Sequence, residues 1–270
     1  MDTCIENKTT ESREAKKGIS GSTIKIIAIL SMLIDHTGAA VIGRMLLNNG
    51  FDFSNMTQFA QGQPMDANMK LYIVYWIMRM IGRLGFPIFC FLLIEGFMHT
   101  RNVKKYALRL LAFCFISEIP FDLAFHGDFI YMEYQNVFFT LLIGLLVMIA
   151  FRYIEENPKF NTFVKVILSV AALVIGMLIA EFLKTDYAWI GVLCIICMYV
   201  TRKNKVLQIV TGCIAFSWEV TAPLAFIPIG FYNGKRGLNI KYFFYIFYPA
   251  HLLILYLIAY AMGMGGLPSL

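Results

Sequence analysis

Residues 24–43 read IKIIAILSMLIDHTGAAVIG, a run in which Lys25, Asp35 and His36 are the only ionisable side chains. Wound as a helix, this run is about 30 Å long, the thickness of a bilayer's hydrocarbon core. The chain keeps that character outside the run. Of its 270 residues 59% are hydrophobic and 15% charged, and the mean hydropathy is +0.68. A soluble domain carries about 25% charged residues, because its surface must face water. Lipid is the solvent that fits, and the expected fold is all-α: one polytopic integral membrane helical bundle.

Further apolar stretches at about 84–99, 104–125, 137–152, 163–183, 188–201, 206–218, 221–232 and 242–262 bring the expectation to about nine transmembrane helices. The basic residues orient them, since cytoplasmic loops carry the excess of Lys and Arg. Lys8, Arg13, Lys16 and Lys17 precede the first span, and alternate loops hold Arg101, Lys104, Lys105, Arg152, Lys159, Arg202, Lys203, Lys205, Lys235, Arg236 and Lys241. Segments 126–136, 219–222 and 263–270 contain no Lys or Arg, and 184–187 contains only Lys184. The expectation is a multi-pass protein of the inner (cytoplasmic) membrane, with its N-terminus cytoplasmic and its C-terminus outside. Segment 44–83 is the exception, because it belongs outside yet holds Arg44, Lys70, Arg79 and Arg83. Its end, LYIVYWIMRMIGR (71–83), is short for a crossing and rich in aromatics, which predicts an interfacial or re-entrant helix. The organisation is then a polar cytoplasmic tail over 1–22 without a cleavable signal peptide, a single transmembrane domain over 23–263 and a short tail over 264–270.

The net charge of +6 does not point to nucleic acid, since the basic residues are explained by membrane topology and form no dense patch interleaved with aromatics. Cys194 and Cys197 form a C-x-x-C inside an apolar run, with no second pair or nearby His to complete a metal site, and read as inert packing. No disulfide framework and no metal are expected.

Ionisable residues inside spans carry more information, because an Asp at a span's centre costs about 2.5–3.5 kcal/mol to insert. Asp35 and His36 fall just past the middle of the first span, and adjacent helical positions point about 100° apart, so they address different partners. His36 is the candidate base: neutral imidazole is cheaper to bury than a carboxylate, and it titrates near neutral pH. Arg79 and Arg83 share a helix face, as do Glu118 and Asp122 around Pro120 and Glu95 and His99 in the second span. The spacing suggests that Glu118 and Asp122 meet the two arginines in one outer-half cavity, while Glu181, Asp186 and Glu219 read as solvated helix ends. His251 lies mid-span in FYIFYPAHL (244–252), and YNGKRG (232–237) joins two glycines to adjacent Lys235 and Arg236, a loop able to wrap a phosphate.

At these residues the sequence resembles the TraX family, named for a conjugal-transfer membrane protein that acetylates the amino terminus of pilin. The resemblance runs over IKIIAILSMLIDHTG (24–38), GRLGFPIFCFLLIEGFMHTRNVKKYALRLLAFCFISEIPFDLAF (82–125), QNVFFTLLIGLL (135–146), YNGKRG and FYIFYPAHL. It implies an integral membrane acyltransferase within a wider transmembrane acyltransferase group, in which cytoplasmic acetyl-CoA donates across the membrane and a His on the first core helix is essential. That His corresponds to His36, preceded by Asp35, and the arginine opening the next segment corresponds to Arg83.

The functional expectation is acetyl transfer from cytoplasmic acetyl-CoA to an amine or hydroxyl, carried by a pilin-like N-terminus or by an envelope glycan or lipid. His36 is the base, Arg79 or Arg83 supplies electrostatic stabilisation, Glu118, Asp122 and His251 position them or the acceptor, and Asp35 counts with them among the catalytic candidates. Lys235, Arg236, Asn233 and Gly234, with Lys104 and Lys105, are the expected contacts to the donor's phosphates. A transporter or flippase also uses midplane acids and His, and a non-enzymatic pilus or envelope assembly factor is the third class.

Overall fold

The computed structural model describes residues 18–51, 66–238 and 241–269. The basic tail residues Lys8, Arg13, Lys16 and Lys17, and most of the polar tail, lie outside these. The described residues form helices and turns and no strand. Helices begin where the sequence offers a short polar cap. The side chains of Ser20, Asp66, Asn102, Asn136, Asn161 and Asn204 each accept a hydrogen bond from a first-turn N–H of the helix that follows. Each cap satisfies a donor the helix itself leaves unpaired and so marks a boundary, and the cap at Asn136 is buried where no water could replace it.

The first element is α1 (Gly21–Thr37), a π-helical turn (Gly38–Gly43) and α2 (Arg44–Asn48), together a 28-residue candidate span. Beside it run α3 (Ala67–Gly82) and α4 (Gly85–His99), a second candidate span of 33 residues. Their contacts run in opposite directions along the two chains. Asn49 Nδ2 donates to Asn68 Oδ1 at 3.0 Å, Arg79 reaches Asp35, and Ser31 Oγ donates to the Ile81 carbonyl at 2.7 Å. Segment 71–83 is therefore part of a long rod paired with the first helix, not a separate interfacial or re-entrant helix. Short length misled the sequence reading, because the turn at Arg83 and Leu84 interrupts the helix without ending the rod. Freed carbonyls at such a break are costly in lipid, and here hydroxyls meet them: Thr221 Oγ1 donates to Met80 O at 2.6 Å and Ser31 Oγ reaches Ile81 O.

Next come α5 (Val103–Phe125), α6 (Val137–Glu156), α7 (Thr162–Phe182) and α8 (Ala188–Val200). α6, α7 and α8 pack closely because glycines lie in the seams. A Cβ on Gly144 would meet Ile195 at 2.6 Å, and one on Gly176 would meet Val147 at 2.4 Å. α9 (Lys205–Ala215), a 3-10 turn (Ala222–Ala225) and α10 (Phe226–Gly230) follow, and α11 (Lys241–Ala261) closes the fold.

Among the described residues five helical stretches are long and apolar enough to cross a membrane: 21–48, 67–99, 137–156, 162–182 and 243–261. The count of about nine is not confirmed by these five. Residues 206–218 and 221–232 differ most from expectation. The 11 residues of α9 rise only about 16 Å, and the return leg is a 3-10 turn and a five-residue helix. Lys205 Nζ at the start of this unit donates to Gly230 O and Tyr232 O at its end, at 2.7 and 2.8 Å. Its tip, meanwhile, touches Met80 and Arg83 in the middle of the second rod. The unit enters and leaves at one end of the bundle, as a re-entrant hairpin.

At that same end the N-terminal segment and the 231–238 loop hold each other. Ile19 N donates to Phe231 O, Asn233 N to Ile19 O, Gly21 N to Lys235 O and Ser22 N to Arg236 O, all within 2.8–3.0 Å. At the opposite end Arg44, fully buried, donates from Nε to Leu267 O at 2.7 Å and from Nη2 to Leu123 O at 2.8 Å, tying the C-terminal tail to α5.

Candidate functional site

Asp35 and His36 leave α1 one turn before the π-helical segment, and they take different partners. Asp35 Oδ2 accepts from Arg79 Nη1 at 2.6 Å. The approach is possible because residue 82 is glycine: a Cβ there would lie 2.0 Å from Asp35 Oδ1. His36 instead pairs across the bundle with His251 of α11, its Nδ1 lying 2.7 Å from His251 Nε2 with the ring planes 7° apart.

One fixed acceptor sets the direction of this chain. His251 Nδ1 lies 2.7 Å from the carbonyl oxygen of Phe247, which can only accept. His251 Nδ1 therefore carries a proton, and in the neutral ring Nε2 is an acceptor. His36 Nδ1–H must then be the donor to it, leaving His36 Nε2 with its lone pair free. That nitrogen lies 3.8 Å from Asp35 Oδ2, the oxygen that Arg79 also holds. With 13% of its side chain exposed, His36 is enclosed by protein rather than lipid, with Phe125 and Tyr248 edge-on to its ring.

Around this pair lie residues that sequence reading placed elsewhere. Arg83 Nε sits 3.0 Å from Glu219 Oε2, and Glu219, read as a solvated helix end, is 15% exposed at the tip of the re-entrant hairpin. Asp186, read the same way, accepts a 2.7 Å hydrogen bond from the Tyr134 hydroxyl, and its backbone carbonyl accepts from the Thr140 hydroxyl. Lys184, Tyr187 and Ala188 all have positive φ (51°, 64° and 41°), a strained turn that stacks Tyr187 on Phe86 with ring centroids 3.7 Å apart. Nothing in the residue types of this turn announces that conformation, since glycine is absent from it.

Glu118 and Asp122 do not join the arginines. Glu118 accepts from Asn136 Nδ2, and Asp122 Oδ2 accepts from Tyr131 N at 2.8 Å, so both fix the α5–α6 connection. The acids that reach Arg79 and Arg83 come from other elements, Asp35 from α1 and Glu219 from the hairpin tip.

A cavity of about 570 Å³ opens at the end of the bundle where residues 18–22 meet 231–236. Its inner part reaches Met32, one turn before His36, and Tyr248, which contacts both histidines. Of the expected phosphate contacts only Arg236 lines it. Lys104 and Lys105 are exposed on the outside of α5, and Lys235 and Gly234 project from the loop. Asn233 is used structurally, donating to Gly18 O at 3.1 Å and accepting from Lys235 N at 2.9 Å. The lysines were chosen by clustering in sequence, whereas the cavity takes α5 residues one helical face away.

The chain is 28% identical over 263 residues to a probable fimbrial assembly protein, FimC of serogroup H1, from Dichelobacter nodosus, with 87% of this chain and 94% of that protein covered. No solved structure matches. The family model described as TraX protein matches residues 20–259, a span that takes in both histidines, the two arginines and the cavity. On that match the chain belongs to the TraX family.

Proposed function

We propose that this TraX protein is a membrane-embedded acyltransferase that moves an acetyl group from cytoplasmic acetyl-CoA to an amine or hydroxyl acceptor. The acceptor class is a pilin-like N-terminus or a cell-envelope glycan or lipid, and the protein works in the inner membrane with its N-terminus cytoplasmic. The observation that carries the reading is the Phe247 carbonyl–His251–His36 chain, which the cavity-lining Tyr248 touches at both rings. It presents an unprotonated Nε2 of His36 as general base. The acceptor's N–H or O–H gives its proton to that nitrogen as its lone pair attacks the thioester carbonyl. When the C–S bond breaks, the proton passes to the departing sulfur. His251 keeps His36 in the reactive tautomer, and Asp35, held by Arg79, stands beside the Nε2 edge to offset the charge formed there.

The test is thiol release from acetyl-CoA by the detergent-purified protein. His36→Asn keeps a polar side chain but no base, and is expected to lower release by about 100-fold or more. Unchanged release would remove His36 from the reaction. The relative's name favours a second reading, a non-enzymatic fimbrial assembly factor. That reading requires His36→Asn to leave assembly intact.

A further inference from the structure

The candidate spans Val137–Glu156 and Thr162–Phe182 are joined by a short connection where both reach their polar ends, and the turn between α8 and α9 lies against it. Cations from these three places converge on one residue. Arg202 Nη2 and Lys203 Nζ reach the two carboxylate oxygens of Glu155 at 3.0 and 3.1 Å, and Lys165 Nζ donates to its backbone carbonyl at 2.6 Å. Arg152, one turn before Glu155, has no carboxylate partner among the described residues. Its Nη2 makes only long contacts, 3.4 Å to Phe97 O and 3.6 Å to Met98 Sδ. The two guanidiniums lie over a pair of neighbouring rings: Arg152 Cζ is 3.8 Å from the Phe97 centre, Arg202 Cζ is 3.9 Å from that of Tyr199, and the ring centres are 5.8 Å apart. Stacking on a ring leaves the guanidinium charge in place. The cluster therefore keeps a positive excess even with Glu156, exposed on the same turn, counted against it.

Apolar surface surrounds these charges. Tyr153, Phe163, Val200 and Val206 are each more than half exposed and stand within three residues of one of the cations, and α7 continues the surface through Val166 and Val170. A water-soluble anion gains nothing from such a surface, whereas an amphiphile meets both parts at once. We propose that Arg152, Lys165, Arg202 and Lys203 form a docking site for an anionic phospholipid, whose headgroup phosphate meets the cations while its acyl chains lie along the exposed face of α7. Arginine suits the role because its planar fork meets phosphate through paired N–H bonds, and basic pockets between membrane helices are where anionic headgroups bind. Arg152 joins the site to α4 through Phe97, so a bound lipid braces α4, α6 and α8 at this end. None of the four cations lines the cavity, and the site stands whether or not the protein transfers acyl groups.

The measurement is native mass spectrometry of the detergent-purified full chain, titrated with phosphatidylglycerol and in parallel with zwitterionic phosphatidylcholine. Phosphatidylglycerol is expected to bind roughly 10-fold more tightly, and Arg152→Gln and Lys203→Gln each to weaken it about 5-fold, the share of one basic residue facing an anionic headgroup. Lys70→Gln, which removes an exposed charge from α3, is expected to leave the affinity unchanged. Lys203 is 78% exposed, so its variant tests the site even if Arg152→Gln fails to fold. Equal affinity for the two lipids, no loss in Lys203→Gln, or an equal loss in Lys70→Gln overturns the site. Displacement of the lipid by millimolar inorganic phosphate at constant ionic strength makes it a free-anion site and overturns it too.

Discussion

At the scale of single residues, the account turns on which nitrogen of His36 is bare, and that is decided by a carbonyl on another helix. Replacing His251 with Phe keeps the ring's bulk but removes the acceptor for His36 Nδ1–H. The imidazole then has no reason to hold one tautomer, and kcat is expected to fall roughly 10- to 100-fold, the loss seen when a partner that orients a histidine is removed. His251→Gln, which restores an acceptor oxygen, should recover part of it. Equal rates for wild type and His251→Phe, at matched membrane levels, would end the orienting role. Gly82→Ala makes a separate prediction, because the new Cβ occupies the place of the Asp35 carboxylate. The Asp35–Arg79 pair should separate and activity fall without loss of insertion, measured as thiol release per folded protein. Asp35, His36 and His251 were legible in the sequence because ionisable groups in an apolar run are conspicuous. Glu219 and Asp186 were not, because a carboxylate at a helix end looks solvated until a neighbouring chain covers it.

At the scale of elements, the spans at 24–43, 137–152, 163–183 and 242–262 could be read from length and hydropathy alone, and the helical class with them. What misled was apolar sequence that enters the bundle without crossing it. α9 and the 222–230 leg are apolar too, and what sets them apart from crossing spans is their short length and the tip's contacts at Met80 and Arg83, midway along the second rod. Beside the Glu219–Arg83 pair, the tip meets the second rod through one hydroxyl on a freed carbonyl. Thr221→Val leaves Met80 O unpaired and should cost about 1 kcal/mol of stability, while Thr221→Ser should cost little. Unfolding in mixed micelles reads the difference, and equal stability of the two variants would count against a structural role for the break. Arg44→Met takes hydrogen bonds from two buried carbonyls at once, and a larger loss, of about 3 kcal/mol or more, is expected there.

At the scale of the whole molecule, the histidines sit between a cation-rimmed cavity on one side and a cluster of arginines and carboxylates on the other. This arrangement suits a donor and an acceptor that approach from opposite faces. In the proposed orientation, with the N-terminus cytoplasmic, the cavity faces the cytoplasm, so a single cysteine at Lys159 should label from the cytoplasmic face and one at Met132 from the outer face. The reverse would place the donor on the wrong side. The central claim, that His36 is the base of an acyl transfer, is tested most directly by following thiol release from acetyl-CoA by purified wild type and His36→Asn. The account predicts steady release from wild type and a loss of about 100-fold in the variant at matched levels of folded protein. Equal release from both proteins, above the uncatalysed rate, would contradict it.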